Sequence, residues 1–196
     1  MSTKLIHWAA IVTLLAIASG CSPNNEQPQA TTPPPAPEAS IENEATPVNS
    51  QATSPAQSVV KRLLETKECP KCDLEGVDLK GADLQGAKLS DALMRGANLQ
   101  GANLSQADLE ETVLKGANLQ GANLSQADLE EAFLHDANLS EANLDRAQMK
   151  DVILDNTNLS RANLNQVNMR GANLNAANLK GASLKGAIMP DGTTHK

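Results

Sequence analysis

Aromatic side chains are almost missing from this 196-residue chain: Trp8 and Phe133 are the whole set, and there is no tyrosine. Ordinary mixed cores draw much of their buried area from aromatics, so a conventional globular core is not expected. The same shortage removes the stacking platforms that hold single-stranded nucleic acids, and a formal net charge of −7 opposes a phosphate-binding surface. Nucleic acid is therefore not an expected partner. Cysteine and histidine are scarce as well, at three each. What the chain does contain is small and aliphatic: 40% of its residues are hydrophobic, mostly Ala and Leu, too many for a wholly disordered protein.

Met1 to Lys4 is a short basic start, and Leu5 to Ser19 is almost wholly apolar. The stretch is too short for a comfortable membrane span and is patterned like a secretory signal. It runs into Ile17-Ala18-Ser19-Gly20-Cys21, which resembles the bacterial lipobox. That resemblance implies cleavage after Gly20 and lipidation of Cys21. Residues 1–20 are then a lipoprotein signal peptide, and the mature chain is anchored in the cell envelope, facing the periplasm or the cell surface. Several acyl chains anchor stably, because each buried methylene contributes about 0.8 kcal/mol. Ser22 to Gln57 holds eight of the ten prolines and too little bulky apolar surface to offset its ordering entropy. Residues 21–54 accordingly read as a disordered tether, spanning from roughly 30 Å as a coil to about 110 Å as a polyproline-like chain.

From Cys72 a five-residue unit recurs without a break, as in Ala97-Asn98-Leu99-Gln100-Gly101 and Ala102-Asn103-Leu104-Ser105-Gln106. Centres from Leu74 to Met189 in steps of five make 24 repeats, of which 20 carry Leu and four carry Met. Two residues before the centre stand 18 Ala, three Val, two Thr and Cys72. A period of five scatters the leucines around an α-helix and alternates them across a flat strand. If the chain turns a corner in every repeat, all centres face one axis, and the small residue two before them does too. Glycine or a polar residue in the fifth place suits such a corner. Gly96 to Glu111 recurs unchanged at Gly116 to Glu131, which suggests four repeats per coil.

This pattern resembles the pentapeptide repeat family, A(D/N)LXX. The resemblance implies an all-β solenoid, a right-handed quadrilateral β-helix of about six coils over residues 72–191. A short capping α-helix is expected before it. Ser54-Pro55-Ala56-Gln57 reads as an N-cap followed by a proline at the first helical position. Val59, Val60, Leu63 and Leu64 form one apolar face, so the helix should run from about Pro55 to Lys67. Residues 55–71 are thus the cap with its CxxC junction, and 192–196, after the stop at Pro190-Asp191-Gly192, a C-terminal tail.

Candidate chemistry is sparse. Cys69-Pro70-Lys71-Cys72 is a CxxC, but zinc needs four ligands and the mature chain adds only His135 and His195. No metal site or cofactor is expected. Cys69 and Cys72 form a candidate disulfide or two quiet thiols, with a working redox couple as the competing reading. The polar residues follow surface positions of the repeat, so no catalytic residue is assigned and no enzyme is expected. Leu93, Val113, Phe133 and Ile153 replace the usual Asn or Asp once per twenty residues and should align on one face beside Arg95, Lys115 and His135. This ridge is either a binding surface, for a protein partner or a homodimer, or simply a stable stacked surface. Asp91, Asp108, Glu110, Glu111, Asp128, Glu130, Glu131 and Asp151 collect elsewhere, as a solvated acidic surface or a place for calcium.

These features point to an exported, membrane-anchored, non-enzymatic binding or scaffold module. An envelope thiol-redox or enzyme-accessory module using Cys69 and Cys72 is the alternative. Some members of the family mimic DNA and bind gyrase. Here, however, Asp73 to Glu141 carries 13 acids against four bases, while Ala142 to Asp191 carries four against six. The charge is polarised rather than DNA-like, and an export signal removes the chain from the cytoplasm.

Overall fold

The computed structural model describes residues 55–196; the expected signal peptide, Cys21 and the tether lie outside them. In an inner repeat with Asn before its centre, every backbone N–H has a partner, which is what buried backbone requires. In Ala117 to Gly121, Ala117 donates to the Leu114 carbonyl (3.0 Å) and Asn118 to Ala97 in the coil before (2.9 Å). Leu119 and Gly121 donate to Asn138 and Ser140 in the coil after (2.8 and 2.9 Å). Gln120 donates to Oδ1 of Asn118 (3.2 Å). The Ala-to-centre bond closes a four-residue turn whose third residue has positive φ, +65° at Gly121, the pattern of a type II turn. One corner per five residues results.

Parallel bridges then join each residue preceding a centre to its equivalent twenty residues on, from Glu68↔Lys88 to Asn168↔Ile188. They form four ladders, one per side. The centres and the small residues beside them point inward, and Leu84 to Leu164 and Met169 are fully buried at every centre. Thr112 and Thr157, also fully buried, donate their hydroxyls to the Leu89 and Leu134 carbonyls (3.0 and 2.7 Å). No ring fits between stacked Leu and Ala, which accounts for the aromatic shortage.

Helix α1 spans Pro55–Thr66. It buries Leu63 completely in the core cluster and packs Val59 and Val60 against it. Leu64, expected on the same face, stays 42% exposed; it lies beyond the edge of the first coil, in a groove with Ala56, Val60 and Val77. Lys67 ends the helix with φ +59°, its N–H on the Leu63 carbonyl at 2.8 Å. The ladder begins one unit earlier than Cys72, because Glu68 pairs with Lys88 and Cys69 takes a fully buried centre position. At the other end the tail folds back. Thr194 makes an antiparallel bridge with Ile188, and His195 exchanges backbone bonds with Ala187 (2.8 Å) and Gly186 (2.9 Å). Leu174, Leu179, Leu184 and Met189 in that last coil are only half-buried.

Candidate interaction face

Three sides of the solenoid carry amides or charges before each centre, apart from Ser183 and Ile188 in the last coil, and two of them build side-chain ladders. On one, Asn98, Asn118, Asn138, Asn158 and Asn178 each donate from Nδ2 to Oδ1 of the residue twenty earlier, ending on Asp78. On the next, Asn103, Asn123, Asn143 and Asn163 do the same down to Asp83. Asp83 also receives Lys67. Bonds from the Gln85 N–H, Lys67 and Asn103 hold its carboxyl below the usual value. Such sides are saturated by their own hydrogen bonds.

The remaining side is different. Leu93↔Val113, Val113↔Phe133 and Phe133↔Ile153 are consecutive bridges, so the four apolar residues stand one above another with no polar atoms to pair. Phe133 is 38% exposed. Arg95, Lys115 and His135 border a shallow groove over Val113 and Phe133. His135 lies 3.4 Å from Asp155, whereas Arg95 and Lys115 make no ion pair among the described residues. The opposite border, one corner earlier, carries Asp91, Glu111, Glu131 and Asp151, all with positive φ. Asp91 and Asp151 have Lys71 (3.9 Å) and Lys150 (3.4 Å) beside them. Around Glu111 the acids are less compensated. Partial loss of water, then Asp128, Asp108, Glu111 and Glu130, raise the carboxyl of Glu110 above its usual value.

At the helix junction Cys69 and Cys72 are joined by a disulfide. Arg62 donates to both sulfurs, at 2.9 Å to Cys72 and 3.4 Å to Cys69, a contact the sequence pattern did not signal. Among the described residues no group of three or more His, Cys, Asp or Glu is placed to hold a metal ion. Among them, too, no helix is long and apolar enough to cross a membrane.

The family model described as Pentapeptide repeats matches in eight copies, over residues 69–96, 92–130, 117–156 and 153–189. Among solved structures, the pentapeptide repeat protein Rfr23 from the cyanobacterium Cyanothece 51142 is 29% identical over 64% of this chain and 92% of that one, with a TM-score of 0.44. HetL from Nostoc sp. strain PCC 7120, a pentapeptide repeat protein involved in heterocyst differentiation regulation, is 35% identical over 65% of this chain and 74% of its own, with a TM-score of 0.30. A trypsin-treated variant of QnrB1, a plasmid-mediated fluoroquinolone resistance protein, is 18% identical over 62% and 67%, at a TM-score of 0.55; that likeness is one of fold alone. No curated relative matches the chain.

Proposed function

Since the chain belongs to the pentapeptide repeat family, we propose that it is a non-enzymatic binding or scaffold module of the bacterial cell envelope, held on a lipid anchor at Cys21. The working part is a right-handed quadrilateral β-helix of about six coils. Helix α1 is its N-terminal cap, a reading supported by the burial of Leu63 in the core cluster. Support for the anchor comes from sequence: the basic start, the apolar stretch and the lipobox-like Ile17-Ala18-Ser19-Gly20-Cys21.

One observation carries the binding role. Leu93, Val113, Phe133 and Ile153 occupy consecutive rungs where the next side along the chain carries a self-saturating asparagine ladder, and Phe133 leaves 38% of its surface to solvent in the middle of that apolar run. Affinity capture from intact envelopes with the full chain and with Phe133→Asp tests it. Loss of captured protein, or of self-association, is expected; a folded variant with unchanged partners and unchanged oligomeric state refutes the role. The address is tested separately by palmitate labelling and fractionation, where Cys21→Ala should lose both label and membrane association, and retention of both refutes it.

A thiol-redox role at Cys69 and Cys72 has one observation in its favour, the Arg62 guanidinium beside both sulfurs, since a nearby cation stabilises a thiolate. The complete burial of Cys69 opposes it. Thiol titration separates the readings: a readily cycling pair supports redox work, and a disulfide that resists mild reductant supports the scaffold.

A further inference from the structure

At its first two rungs the apolar ridge sits between corners of opposite charge, at the third between Glu131 and His135, and at the fourth between two acids, Asp151 and Asp155. Asp91 precedes Leu93 and Arg95 follows it; Glu111 precedes Val113 and Lys115 follows it. Because Leu93 and Val113 are bridged in register, the acids stack along one edge of the face, and Arg95 and Lys115 stack along the other, which His135 and Asp155 continue. At the Leu93 and Val113 rungs the face carries the complement of its own charge pattern, reflected across the ridge.

We propose that this face binds the same face of a second copy, with the two solenoids parallel. The inference rests on the reading of the ridge as a binding surface and supplies its occupant. Two identical faces can be laid together by a two-fold axis in the plane of contact, running either along the solenoids or across them. An axis across them keeps each border on its own edge and sets acid against acid along one whole border, Asp91 against Asp151 and Glu111 against Glu131, with one attraction on the other, Arg95 against Asp155. The axis along them exchanges the borders. Glu111 then meets Lys115 of the second copy, Asp91 meets its Arg95, Glu131 meets its His135 and Phe133 meets Phe133, with one like pair, Asp151 against Asp155. On balance charge selects the parallel pair. Glu111 and Lys115 are both exposed, and Lys115 has no ion pair among the described residues. The parallel arrangement also leaves both α1 helices at the same end.

Size sets the strength. Four rungs at about 4.8 Å and four residues at about 3.3 Å make a face of roughly 19 by 13 Å. Two such faces cover on the order of 500 Å², well below the roughly 1,200 Å² of stable interfaces. The pair is thus weak in free solution and is favoured where a shared surface raises the local concentration.

The test is sedimentation equilibrium of the full chain in detergent at low salt. The unsubstituted chain is expected to associate reversibly. Lys115→Glu and Glu111→Lys should each weaken association at least about tenfold, since each turns two symmetry-related attractions into repulsions. The mixture of these two variants should associate as well as the parent, because every contact between the two chains is again a Glu with a Lys. A parent that stays monomeric at the highest attainable concentration, or a mixture no better than its components, overturns the proposal. If the parent is monomeric while Phe133→Asp still abolishes capture of another protein, the binding role stands and the second copy is ruled out. The measurement does not depend on whether Cys21 carries lipid.

Discussion

Arg62 on α1 donates from Nη2 to Sγ of Cys72 at 2.9 Å, so that helix and first coil meet over the Cys69–Cys72 disulfide. The bridge closes a loop of only four residues, for which the chain-entropy model gives about 2 kcal/mol. Cys69→Ser with Cys72→Ser should lower unfolding stability by about that amount, with the loss centred on α1 and followed by amide exchange at Leu63. Equal midpoints with and without reductant would mean that packing of Leu63 alone holds the helix.

Core substitutions should depend on height along the solenoid. Leu114 is fully buried with a coil on either side, and Leu114→Ala is expected to cost about 3 kcal/mol as transfer and cavity terms add. Leu174 in the last coil is half-buried, so Leu174→Ala should cost about 1 kcal/mol, in proportion to the area it shields. Denaturant midpoints at unchanged m-value check both.

Space and backbone conformation separate at two glycines. A Cβ on Gly116 meets nothing within 4 Å, but its φ is +66°, so Gly116→Ala should cost about 1 kcal/mol from left-handed strain alone. On Gly171 the added carbon would overlap Oδ1 of Asp151. Gly171→Ala should therefore cost more, and adding Asp151→Ala should bring it back to the Gly116 value.

The raised carboxyl of Glu110 has a definite sign. A group whose value is higher folded than unfolded adds stability below its unfolded value of 4.5 and withdraws it as pH rises through the folded value. At pH 7 Glu110 is ionised among acids, so Glu110→Gln should melt at a higher temperature than the parent. Below about pH 4 the two curves should converge. A constant offset at all pH values would assign the effect to packing.

The amide ladders can be broken by one atom. In Asn138→Asp the donor that reaches Asn118 is lost, and two oxygens face each other. Turning over Asn118 and Asn98 gives no escape, because each Oδ1 also accepts the backbone N–H of Gln120 or Gln100. A loss of about 1–2 kcal/mol is expected in the denaturant midpoint, and Asp78→Asn in the same chain should not recover it. Recovery would show that the amides turn over as a unit.

Much of this arrangement could be read beforehand, because a five-residue period has one way to bury its leucines, and the twenty-residue recurrence of Gly96 to Glu111 counts the sides. The ridge was legible for the same reason: Leu93, Val113, Phe133 and Ile153 break an otherwise regular polar position. Cys69 does not stand out as a centre, since Lys67 rather than Ala stands two before it and the CxxC spacing points to thiol chemistry instead. Its register, five before Leu74, was the available signal. The folded-back tail left no trace in the repeat pattern, as its bonds run from the backbone of Gly186, Ala187 and His195. Arg62 depends on where a helix comes to rest, which no periodicity records.

The asparagine ladders have a direction. Every amide points its hydrogens toward the N-terminal end, where Asp78 and Asp83 accept them. These carboxylates do for a stack of side chains what an aspartate N-cap does for a helix: they receive the first donors and sit at the positive end of aligned dipoles. At the far end Asn178 donates to Asn158 and keeps acceptor capacity toward the solvent. The two ends are therefore not equivalent for adding a coil. A duplicated twenty-residue coil inserted above Asn178 would find acceptors waiting, whereas one inserted beneath Asp78 would meet oxygens with no hydrogen to give. For engineering, the ladders favour a coil added at the C-terminal end.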